Sequence, residues 1–112
     1  MPPSDASYVA INSIECAPEY VQRFEDLFLT RAHAIDKMDG FRGMTVLSPQ
    51  STDKPYLVVS YWESEQAFRA WTGSEAFIEG HRRAFEDLRL AKERGEIAPM
   101  RSEMMTYEVL GR

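Results

Sequence analysis

YLVVSYWESEQAFRAWTGSEAFIEGH, residues 56–81, changes its period half-way along. Tyr56 to Trp62 is a run of β-branched and aromatic residues, the composition of a strand. Ser64 then stands where a helix N-cap is expected, and Ala67, Phe68 and Trp71 follow it at helical spacing. Gly73 interrupts that helix, and Ser74 is placed to cap a second piece. In the second piece Phe77, Ile78, His81, Phe85 and Leu88 share one face, while Glu79, Arg82, Arg83, Glu86 and Asp87 lie mostly off it. A strand that passes at once into a broken amphipathic helix anchors the reading on both sides.

Upstream, Phe41 to Ser48 is a second strand-like run, and the polar segment 49–55, with a proline at each end, makes it a hairpin with residues 56–62. Before it, Tyr20, Val21, Phe24, Leu27, Phe28, Ile35 and Met38 recur at helical spacing between Pro18 and Gly40, which predicts a helix of about five turns. YVAINSIE, residues 8–15, reads as the first strand, stopped by Pro18. Downstream, Gly95 and Pro99 end the helical pattern, and MMTYEVL, residues 104–110, reads as a closing strand. The order is strand, helix, strand, strand, helix, strand, without an internal repeat. This is the ferredoxin-like α+β pattern, βαββαβ, with a four-stranded antiparallel sheet. Apolar residues occupy both parities of the strands, Leu57, Val59 and Tyr61 against Tyr56, Val58 and Trp62. The face without helices is therefore expected to meet a second copy, sheet to sheet, in a homodimer.

The 112 residues predict one domain over 1–112 with its core in about 8–110. A hydrophobic fraction of 44% with 28% charged residues is that of a globular chain. Thirteen Lys and Arg against eighteen Asp and Glu give a net charge of -5, the wrong sign for a nucleic-acid partner. No apolar run approaches the roughly 18 residues of a membrane helix, and residues 1–7 lack the basic and apolar regions of a secretory signal, so a cytoplasmic protein is expected. The lone Cys16 forms neither an internal disulfide nor a C-x-x-C-H haem attachment. Any cofactor is then held non-covalently. The phosphate loops, G-x-S-x-G elbows and H-E-x-x-H motifs of common enzymes are missing too.

Two histidines remain informative. His33 falls in the first predicted helix, off its apolar stripe, and reads as a surface residue. His81 lies between Phe77 and Phe85 on an apolar face, so it is either a core histidine bonded to a backbone carbonyl, the commoner case, or a metal ligand. One histidine cannot build a zinc site but suffices as an axial ligand of haem iron. Asn12 puts an amide on the apolar row of Tyr8, Ala10 and Ile14, where it needs a partner, either a nearby loop or a ligand. Trp71 ends the first helix piece, where core packing is the commoner role, and the Gly73 break prevents phasing from telling whether it faces His81. Arg82, Arg83, Arg89, Lys92, Arg94 and Arg101 read as a solvated charged face.

VAINSIE, MDGFRGMTVL, SYWESEQAFRAW and SEAFIEGH together resemble the antibiotic-biosynthesis monooxygenase (ABM) domain family, and within it the haem-degrading monooxygenases of the iron-regulated surface determinant G type. The resemblance runs from about Tyr8 to His81 and includes the last strand. The pattern W-x-S-x-x-A-F-x-x-W, residues 62–71, is that of the wider family; asparagine on the first strand, tryptophan at residue 71 and histidine at 81 narrow it. The resemblance implies a dimeric α+β barrel whose catalytic residues are Asn12, Trp71 and His81, with Phe77 beside them in the cofactor site. It implies haem b as both substrate and cofactor, His81 as axial ligand of the haem iron, Trp71 pressing on the porphyrin, and Asn12 donating a hydrogen bond on the side where O2 binds. Electrons then come from an external donor, a reductase or a small reductant, and ring opening releases iron. The segment 82–103 is longer and more helical than the family pattern. Two rival readings remain open: a cofactor-free monooxygenase of a quinol or polycyclic phenol, and a non-catalytic haem-binding or delivery protein.

Overall fold

The computed structural model describes Pro3 and residues 5–112. Its elements run β1 (Tyr8–Cys16), α1 (Val21–Leu29), β2 (Phe41–Leu47), β3 (Tyr56–Trp62), α2 (Glu65–Thr72), α3 (Glu75–Glu93) and β4 (Met100–Glu108), with 3-10 turns at Pro18–Tyr20 and Ala34–Lys37. The strands form one sheet in the order β2-β3-β1-β4. Every neighbouring pair is antiparallel, with Ala10 opposite Ser60 and Thr106, and Asn12 opposite Val58 and Met104. This is the ferredoxin-like α+β arrangement expected from the element order.

The helices cover one face. Tyr8, Ala10 and Trp62 are buried with Ile35, Phe68 and Trp71, and Ile14 and Tyr56 with Tyr20, Phe24 and Leu27. Trp62 and Phe24 are essentially sealed from solvent, and a ring such as Phe24 contributes roughly 1.5–3 kcal/mol by its burial. The alternate residues of the strands, Val9, Ile11, Leu57, Val59 and Tyr61, point to the opposite face. Ser64 and Ser74 cap their helices as the sequence predicts: Ser64 Oγ accepts from the Ala67 N–H at 3.1 Å, and Ser74 Oγ from Phe77 N–H at 3.2 Å while donating to the Trp71 carbonyl at 2.6 Å. α2 presses close to the turn into β2. Gly40 there has φ +80, and a Cβ on it would sit 2.5 Å from that of Ala67.

Two boundaries differ from expectation. The first helix is half the predicted length, because its end is fixed from outside. Arg83 of α3 donates to the carbonyls of Leu27 and Thr30, both at 3.0 Å, and to Thr30 Oγ1 at 2.9 Å. These bonds satisfy C-terminal carbonyls that a longer helix would have used itself. The chain then turns through His33, a non-glycine residue at φ 59, into the 3-10 turn. His33 is therefore not on a helix. The last strand starts at Met100 instead of Met104, since Cys16 through Tyr8 pair along its whole length and draw the polar run Arg101 to Glu103 into the sheet edge.

Candidate functional site

A cavity of about 190 Å³ lies between α3, the 31–35 segment and the helix-covered face of the sheet. Ala10, Asn12 and Ser60 line it from the strands, and Trp71, His81 and Phe85 from the helices. The cavity exists because α3 makes its close approaches to the Ala34–Lys37 turn and to α2, leaving the sheet beneath it uncovered. Asn12, Trp71 and His81, 69 positions apart at the extremes, thus share one wall system. Trp71 and His81 are in contact, ring centroids 5.8 Å apart. That is the relationship the helix break concealed.

His81 Nδ1 lies 2.7 Å from the Phe77 carbonyl. A carbonyl only accepts, so Nδ1 carries the proton and the lone pair of Nε2 is left free. This is the carbonyl partner expected of a core histidine, and a bond of the same kind fixes the tautomer of histidines that ligate metals. Phe77 lies against the imidazole at 4.2 Å between centroids, and Phe85 at 5.4 Å on the following turn.

Two other polar atoms of the site are unsatisfied. Asn12 Oδ1 and Trp71 Nε1 are buried and have no hydrogen-bond partner among the described residues. Trp62 shows what an indole of the core does instead, donating from Nε1 to Ser60 Oγ at 2.9 Å. Burying an unpaired acceptor or donor costs about 1–3 kcal/mol, and both of these belong to residues that line the cavity. Trp71 cannot retreat, since it stacks on Trp62 at 5.5 Å and abuts Phe77 at 5.0 Å.

The sequence pattern missed the cavity's second wall. Arg31 and His33 line it from the loop after α1; Arg31 reaches Asp36 at 3.3 Å, and His33 Nδ1 meets the same carboxylate at 3.1 Å. The signal was the six-residue lapse in the apolar stripe between Phe28 and Ile35. Of the charged run on α3 and beyond, Arg83 reaches the cavity, with its guanidinium engaged on α1. Arg82, Arg89 and Arg101 pair with Glu79, with Glu86 and Glu93, and with Glu15. Burial and the neighbouring Glu25 push the Cys16 thiol up to about 11, the behaviour of a structural residue. Among the described residues, no group of three or more His, Cys, Asp or Glu is placed to hold a metal ion, and no helix is long and apolar enough to cross a membrane.

Residues 7–88 match the antibiotic biosynthesis monooxygenase family. The chain belongs to that family. Among curated ABM relatives, a mycobilin-producing heme oxygenase of Mycobacterium tuberculosis is 40% identical over 76 residues, 66% of this chain and 72% of that protein. A staphylobilin-producing heme oxygenase of Staphylococcus epidermidis is 29% identical over 77 residues, 67% and 73% of the two chains. Of solved ABM-fold structures, a variant of MhuD with two manganese protoporphyrin IX molecules bound per active site superposes at TM-score 0.71. It is 30% identical, with 94% of this chain and 96% of that one covered. SnoaB, a cofactor-independent oxygenase from Streptomyces nogalater, superposes at TM-score 0.69 with 21% identity over 96% of each chain, which is a likeness of fold.

Proposed function

We propose that this ABM protein is a haem-degrading monooxygenase that takes haem b as its substrate, opens the porphyrin ring with O2 and electrons from an external donor, and releases the iron. The observation that carries this reading is the free Nε2 of His81 on a cavity that Asn12 and Trp71 also line, both with a side-chain polar atom left unpartnered among the described residues. The heme oxygenases among its relatives support it. Bound haem would supply an iron that activates O2 and a macrocycle that is itself oxidised.

The residues present fit such a group. A neutral imidazole with Nδ1 fixed on a carbonyl is the form that binds iron through Nε2. Asn12 carries an amide N–H as well as its orphaned oxygen, and can donate to a polar ligand inside the cavity. Trp71, backed by Trp62, sets a rigid wall against a flat occupant. Phe77 completes that wall and holds the imidazole. Arg31 offers a cation at the cavity edge for an anionic substituent.

The reading includes a homodimer in which the helix-free sheet faces meet, giving the dimeric α+β barrel. Its support is the apolar row of Val9, Ile11, Leu57 and Tyr61, all half-buried, continued by Tyr107, which is 52% exposed. The lone free thiol Cys16 fits a reducing, cytoplasmic setting.

The test is a hemin titration followed by ascorbate in air with catalase present. A saturable Soret band that decays to a bilin-like spectrum is expected. A spectrum identical to that of free hemin would overturn the reading and turn the search to quinol-like substrates; binding without decay would leave a haem carrier.

A further inference from the structure

We propose that Phe85 is a positioning residue for His81, fixing the plane in which its imidazole presents Nε2 to the cavity. The inference rests on the reading of His81 as the ligand of the substrate iron and concerns a residue to which that reading gives no role.

Along α3, Phe77, His81 and Phe85 fall on successive turns. Both rings lie against the imidazole, Phe77 at 4.2 Å and 30° and Phe85 at 5.4 Å and 19°, with 6.4 Å between the two phenyl centroids. The two aromatic flanks have different causes. Phe77 packs inward on Trp71, so the core accounts for it. Phe85 is 45% exposed and lines the cavity, so core burial does not account for a phenyl ring there. Its near-parallel neighbour is His81.

The Nδ1 bond to the Phe77 carbonyl selects the tautomer only while the ring stays in place to make it, and it is a single polar attachment. Torsion about the Cβ–Cγ bond of histidine is broad and two-fold, so the hydrogen bond, with Phe77 and Trp71 on the core side, leaves the ring room to rock toward the cavity. A second, near-parallel ring at 5.4 Å on the cavity side narrows that freedom. A nitrogen ligand binds a metal in the plane of its own ring, so whatever fixes that plane fixes the direction of the Nε2 lone pair. Stacked aromatic pairs contribute modest energies beyond burial, enough to restrict a rotor but not to decide folding.

The experiment compares wild type with Phe85→Ala, Phe85→Tyr and Ile78→Ala; Ile78 is a 53% exposed residue of the same helix that does not line the cavity. In two-bond 1H–15N spectra of the unliganded protein, His81 is expected to show a single tautomer with Nε2 unprotonated. Phe85→Ala should average that signal toward a free-histidine mixture, and Phe85→Tyr should restore it, with His33 unchanged throughout. Hemin binding should weaken roughly three- to tenfold in Phe85→Ala and not in Ile78→Ala, with the ferric EPR signal broadened. Wild-type tautomer and hemin affinity in Phe85→Ala would overturn the proposal. If wild type itself binds no hemin, the ligand reading fails, and the unliganded spectra alone decide whether Phe85 fixes the ring.

Discussion

Arg83 donates to the Leu27 carbonyl at 3.0 Å, and through that bond the helix bearing His81 is fastened to the end of another helix instead of to the sheet below it. The same guanidinium takes Thr30 O and Oγ1, so one side chain both terminates α1 and holds the roof of the cavity. Arg83→Met keeps the aliphatic stem and removes the donors. It is expected to destabilise the protein by about 1–2 kcal/mol and to raise amide exchange in residues 27–33 and around His81 ahead of the sheet. Uniform exchange across both regions and the sheet would show that the fastening is not local.

A second fastening lies one turn further along α3. Asp87 accepts from Tyr20 Oη at 2.6 Å and from Arg23 Nε at 2.9 Å. Burial pushes the Asp87 carboxyl upward, but the bonds from Arg23 and Tyr20 prevail and hold it below the ordinary 3.8. A depressed carboxyl contributes stability that is complete above its unfolded value and disappears as pH falls through its folded one. Asp87→Asn should therefore lower Tm at neutral pH, and the gap from wild type should close as pH drops below 3.8. A gap of constant size down to pH 2 would sink this account.

Asn12 and its environment are mismatched in the unliganded protein. Asn12→Leu keeps a similar volume opposite Val58 and Met104 and deletes the orphaned Oδ1. The expectation is a gain of about 1 kcal/mol in stability, accompanied by loss of haem turnover. A variant no more stable than wild type would mean that the amide is satisfied in solution.

His81→Ala is expected to abolish the histidine-ligated Soret band of added hemin. His33→Ala, at the opposite cavity wall and bonded to Asp36, should leave the band in place. Trp71→Phe should bind hemin and turn it over more slowly. Equal spectral effects from the two histidine variants would refute the assignment to His81.

Where local rules governed, the sequence was readable. Ser64, Gly73 and Ser74 carry their own caps and break within three or four residues, and the alternation of Tyr8, Ala10 and Ile14 marks the buried face of β1 without outside help. The length of α1 was not readable, because its end depends on Arg83, 56 positions beyond Leu27. His33 was misplaced for the same reason. Asn12 and His81 stood out as polar residues on apolar rows, a contradiction visible in one dimension. Their shared cavity with Trp71 was not visible, since it depends on how far α3 stands from the sheet.

That stand-off gives the molecule two kinds of mechanical support. The layer of Trp62, Phe24 and their neighbours is held by buried carbon, whereas the roof carrying His81 hangs in part from a partly exposed ion pair between Arg23 and Asp87. Sulfate and similar salts reinforce burial while screening exposed ion pairs. Raising sulfate therefore tightens the floor of the cavity and loosens its ceiling, so substrate entry should quicken under the same conditions that raise the melting temperature.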